Sequence, residues 1–186
     1  MNRTIRYSVI MVLLVAQSLF LGMIVKEKYQ EHTWVSALVI FLVAVFLWVA
    51  YMKAPLHHHE HDVEDSLVAV WVPVGAVGCY CVSTQLQLGN VIGAGLTGTL
   101  GSFLPNMKKD SAYLSKLPPA IYCGAFVGMS STSIAPSLGF ILAAGTLAGV
   151  LLLYSKSLFL GVGGKLGTLA FASVVIVSFI LYLFGK

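Results

Sequence analysis

Residues 66–105 read SLVAVWVPVGAVGCYCVSTQLQLGNVIGAGLTGTLGSFLP, forty consecutive positions without a charged side chain. The hydrocarbon core of a bilayer is about 30 Å thick, and an apolar helix needs roughly 20 residues to cross it. This run is therefore long enough for two crossings. It predicts a pair of membrane helices, and the rest of the chain shows the same pattern.

Apolar runs and charged clusters divide the whole sequence. Of the 186 residues, 58% are hydrophobic and 10% are charged, and the mean hydropathy is +0.90. Soluble domains contain roughly 45–50% apolar and 25% charged residues. The charges are concentrated in residues 3–31, 53–65 and 108–116. This composition excludes a water-soluble globule and a disordered chain, and it predicts an all-α polytopic membrane protein.

The apolar runs predict about seven transmembrane helices, within a range of six to eight. The predicted spans are residues 7–25, 33–52, 67–84, 89–105, 119–135, 137–154 and 158–185. Those between residues 89 and 135 are short and glycine-rich, so re-entrant hairpins are an alternative there. The distribution of Lys and Arg favours a cytoplasmic N-terminus, an external C-terminus and a location in a bacterial inner (plasma) membrane.

Glycine separates the chain into parts of different character. Sixteen of the 18 glycines lie between residues 75 and 167. We predict a lipid-facing two-helix scaffold at residues 1–52, a cytoplasmic His- and acid-rich loop at residues 53–66, and a glycine-rich membrane core at residues 67–186.

Two explanations for the glycine density stay open. Small residues four positions apart allow helix backbones to approach closely. Alternatively, glycines break the helices at mid-membrane, as in transporters with paired broken helices at the solute site. Residues 93–100 and 161–169 resemble each other after a one-residue insertion, and an internal repeat or chance similarity explains this equally well.

The glycine-rich segments also supply the predicted solute contacts. A run of four hydroxyl residues at positions 130–133 either lines a pore or bonds back to carbonyls one helical turn earlier. Lys165 is the one ionisable side chain in these segments, and it either extends to the membrane interface or faces an anion. The predicted substrate-binding residues are Gly93, Gly95, Thr97, Gly98, Thr99, Ser130, Ser131, Gly163, Gly164, Lys165 and Thr168.

The loop at residues 53–66 contains a histidine cluster beside several carboxylates. Imidazole and carboxylate groups are ligands for Zn²⁺ and Ni²⁺. Adjacent loop residues cannot all bind one ion with good geometry, so we expect loose binding at most, and a solvated or pH-responsive loop is the alternative. The candidate metal ligands are His57, His58, His59 and His61. No other cofactor is expected.

The absence of acidic residues from the predicted spans limits the possible mechanisms. None of the spans contains Asp or Glu, whereas buried carboxylates typically mark proton and cation pathways. The first hypothesis is therefore a small-solute channel or transporter for an anion or a neutral polar solute. It would work in the lipid bilayer as a homo-oligomer, with a dimer expected.

The alternative hypothesis is a non-transporting membrane subunit or sensor that packs on a partner protein, responding to metal or pH through its His-rich loop. An enzyme is not expected, because no nucleophile has an evident base, and no nucleic-acid partner is expected. Residues 93–100 and 161–169 separate the first two hypotheses. Broken helices around a polar cavity favour transport, and continuous packed helices favour a subunit.

Overall fold

The computed structural model describes residues 3–30, 38, 41–42, 45–46, 49, 65–108, 111–155 and 164–184. All regular elements in these residues are helices, so the all-α prediction is confirmed for the described part of the chain. The helices are α1 (Arg3–Gln30), α2 (Ser66–Ala69), α3 (Trp71–Thr84), α4 (Asn90–Ser102), α5 (Leu104–Met107), α6 (Leu117–Gly128), α7 (Leu138–Tyr154) and α8 (Lys165–Phe184). A 3₁₀ turn at Leu114–Lys116 precedes α6.

Two of the described helices are long and apolar enough to cross a membrane. They are Ser66–Thr84, which joins α2 and α3, and α8, with mean hydropathies of 1.8 and 2.3. The prediction of seven spans is not confirmed. Helices α4, α6 and α7 have 13, 12 and 17 residues, or about 18–26 Å at 1.5 Å per residue. The runs at residues 89–105 and 119–135 extend past the ends of α4 and α6 because turns follow these helices, whereas α7 fills nearly all of the run at residues 137–154.

Local sequence signals fix several helix ends. The Asp65 carboxylate accepts a hydrogen bond from the Leu67 N–H at 3.1 Å and caps α2. The Ser137 hydroxyl accepts from the Phe140 N–H at 3.2 Å and caps α7. Gly89 precedes α4 with a φ of +85°, a conformation that glycine adopts without steric cost.

Glycines set the distance between α3 and two of its neighbours, α6 and α7. A Cβ added to Gly124 of α6 would lie 2.7 Å from the Ala76 backbone nitrogen. One added to Gly75 of α3 would lie 3.0 Å from the Ile121 Cα. These backbones touch, so no larger residue fits without a shift. Equally close neighbours on α2 or α3 surround Gly128, Gly145 and Gly149.

The close approaches also give the helix directions. Gly145 lies beside Pro73 and Gly149 beside Ala69, so α7 runs antiparallel to α3. Helix α4 is antiparallel to α3 as well, whereas α6 runs in the same general direction as α3. The start of α3, the end of α5, the start of α6 and the start of α8 therefore lie at one end of the bundle. We call this the charged end, because it holds all the charged residues described between positions 65 and 184: Asp65, Lys108, Lys116 and Lys165.

Helix α1 packs on α8 in the opposite direction. The Phe20 and Phe171 rings are 4.7 Å apart between centroids, while Met11 lines a small groove together with Phe179. The prediction, with the N-terminus in the cytoplasm and the C-terminus outside, gives these two helices the same direction, and their antiparallel packing contradicts that relative direction. Two basic residues flank each end of α1, so the local charges do not define its direction.

Gly124→Ala tests the contact between α3 and α6. Overpacking of this kind lowers the free energy of unfolding by about 1–3 kcal/mol. A matched control is Gly95→Ala in α4, where an added Cβ meets none of the described residues within 4 Å. Replacing a helical glycine by alanine raises the free energy of unfolding by up to about 1 kcal/mol. Thermal unfolding of the full chain in detergent should move in opposite directions for the two variants. An unchanged or raised melting temperature for Gly124→Ala would contradict the close contact.

Candidate functional site

A groove of about 1000 Å³ lies between α1, α8 and the turn that follows α6. We call it the lateral groove. None of the described residues that line it is charged, and nearly all are apolar. They are Leu19, Phe20, Met23, Phe126, Met129, Ser130, Ile134, Gly167, Ala170, Phe171, Val174, Val175, Ser178, Phe179 and Tyr182. Such a lining suits a hydrocarbon ligand better than an ion.

The hydroxyl run at residues 130–133 lies at one side of this groove. It belongs to the non-helical turn between α6 and α7 rather than to the interior of a helix. The Ser131 and Ser133 hydroxyl oxygens are 2.9 Å apart and exposed, and the Ser131 carbonyl accepts bonds from two later backbone N–H groups. Bonding of Ser131 and Ser133 to a preceding helical turn, one of the two sequence interpretations, is not what the structure has.

The first predicted solute segment is an unbroken part of α4. Gly93 faces the Ser83 side chain, Gly98 faces the Tyr122 ring, and Thr97 lies beside Gly78. Of the two explanations left open for these glycines, a helix break does not occur at residues 93–100, where α4 is continuous and its glycines contact α3 and α6.

Two further residues of the α4 segment are on its outer side. Gly95 and Thr99 are exposed, and no atom of the described residues lies within 4 Å of a Cβ added to Gly95. The α4 segment therefore divides its predicted contacts between a packed face and an open face. It does not gather them around one solute.

The second predicted segment forms the first turn of α8. Gly163 lies outside the described residues, and Gly164, with a φ of +84°, stands directly before the helix. The Thr168 hydroxyl donates to the Gly164 carbonyl at 3.1 Å. Because the matching residues 93–98 lie inside α4, the two similar segments occupy different positions in their helices.

Lys165 has a partner that neither sequence interpretation anticipated. It is half-buried, and its ammonium group donates a hydrogen bond to the Ser155 carbonyl. Ser155 is completely buried at the C-terminal end of α7. The last carbonyls of a helix lack partners inside the helix and carry partial negative charge, so a cation there is stabilising. Lys165 thus joins the end of α7 to the start of α8.

An aromatic pair at the charged end was also missed from the sequence. The Trp71 indole N–H donates to the Tyr113 hydroxyl at 2.9 Å, and this hydroxyl donates to the Leu67 carbonyl at 3.3 Å. The bonds hold the segment before α6 against α2 and α3. Trp and Tyr are enriched at membrane interfaces, where such rings bury an apolar body beside a polar tip.

The candidate metal ligands His57, His58, His59 and His61 lie outside the described residues. Within the described part of the chain, no three His, Cys, Asp or Glu side chains form a metal site. The cysteines are unpaired, with Cys79 and Cys123 buried and Cys81 half-buried.

Comparison with known proteins finds no matching protein family, curated protein or solved structure.

Lys165→Met tests the link between α7 and α8. Loss of the charge-assisted bond should lower the free energy of unfolding by about 1 kcal/mol, and Lys165→Arg should retain most of it. The exposed Lys108→Met is the matched control and should have a smaller effect. Thermal unfolding in detergent measures all three. Equal stability of Lys165→Met and the unaltered chain would contradict the capping role.

Proposed function

We propose that the chain is a multi-pass integral membrane protein of the plasma membrane, with the charged end in the cytoplasm. Two helices of sufficient length and hydropathy support the membrane location, as do the exposed large apolar side chains of α1, α4 and α8. Lys108, Lys116 and Lys165 support the orientation, because basic residues favour the cytoplasmic side. In this orientation the direction of α1 puts the N-terminus outside, contrary to the prediction from charge counting.

Within the membrane, we propose a non-transporting subunit that presents an apolar binding face. The supporting observation is the unbroken, packed state of residues 93–100, since continuous packed helices favour a subunit over a transporter. The backbone contact of α3 with α6 and α7 leaves no room for a solute between those helices. The lateral groove, lined by apolar side chains, supplies the face that contacts a hydrophobic molecule.

A small-solute channel or transporter is the second candidate, favoured by one observation. Helix α6 stops after 12 residues, and the hydroxyl turn follows it within an otherwise apolar run. At membrane depth, irregular backbone is tolerated where protein covers it or where it lines a wet cavity. A dimer could enclose such a cavity around Ser130 and Ser131, and an anion or neutral polar solute would suit these groups.

Flux through proteoliposomes separates the two candidates. The full chain is reconstituted and tested with chloride, phosphate and glycerol. The subunit proposal expects rates equal to those of protein-free vesicles. Transport would appear as a higher rate that falls in the Ser130→Ala/Ser131→Ala variant but not in the control Ser102→Ala/Ser115→Ala. That pattern would overturn the subunit proposal, and it would establish the hydroxyl turn as part of a solute path.

A metal-responsive loop is tested by calorimetry with Zn²⁺ and Ni²⁺. Replacement of His57, His58, His59 and His61 by Ala should abolish the binding heat. Lowering the pH below the usual histidine pKa of about 6.5 should weaken binding to the unaltered chain, because protons compete with the metal. Equal heats from the two proteins would end the metal hypothesis.

A further inference from the structure

We draw no further inference here: the strongest candidate, the apolar lateral groove between α1, α8 and the turn that follows α6, carries none, because nothing in the described part of the chain shows what covers it.

Discussion

Direct backbone contact between α3 and α6 is the constraint on which the rest of the structure depends. At Gly75 and Gly124 the two helices are so close that a single added carbon would overlap the neighbouring main chain. Helix α7 approaches an adjacent face of α3 through its own glycines. In the membrane location proposed above, where lipid is as apolar as a helix surface, such association relies on close van der Waals packing more than on exclusion of water. Close packing therefore accounts for the glycines at the contacts of α3 with α6 and α7 and for the geometry of this core.

This packing determines where polar groups are available. The three closely packed helices hold little besides apolar and small residues. A mid-helix hydroxyl such as that of Thr146 bonds within its own helix, and among the described residues the N–H and O–H side-chain bonds between different elements lie at the ends of the bundle. At the charged end, Lys165 binds the terminal carbonyl of α7 and Tyr113 receives the Trp71 indole N–H. At the other end the hydroxyl turn connects α6 to α7 and borders the lateral groove. The proposed function follows from this separation, because the packed centre leaves the apolar side of the bundle for binding.

Part of the site was predictable from the sequence and part was not. Residues 93–100 and 164–169 have similar sequences, and both contain glycine, threonine and leucine. In the structure the first segment packs within α4, whereas the second opens α8 beside the groove. The sequence interpretation selected Lys165 and Ser130 as candidates but could not identify their neighbours in space. Ser155, Phe126 and Phe171 are ordinary residues whose importance arises only because the fold brings them together.

The sequence by itself determined the helical class, the apolar runs and several helix ends, because hydropathy, Asp65 and Ser137 act through local physical chemistry. Only the tertiary structure decided which glycines contact another helix and which have no close neighbour among the described residues. It also decided that α1 is antiparallel to α8 and that Lys165 caps the C-terminal end of α7. Each of these depends on a neighbour distant in the chain. A glycine lowers the stability of its own helix by a similar amount wherever it occurs. Only the neighbouring elements show whether the missing side chain allows close packing, as at Gly124, or leaves space among the described residues, as at Gly167.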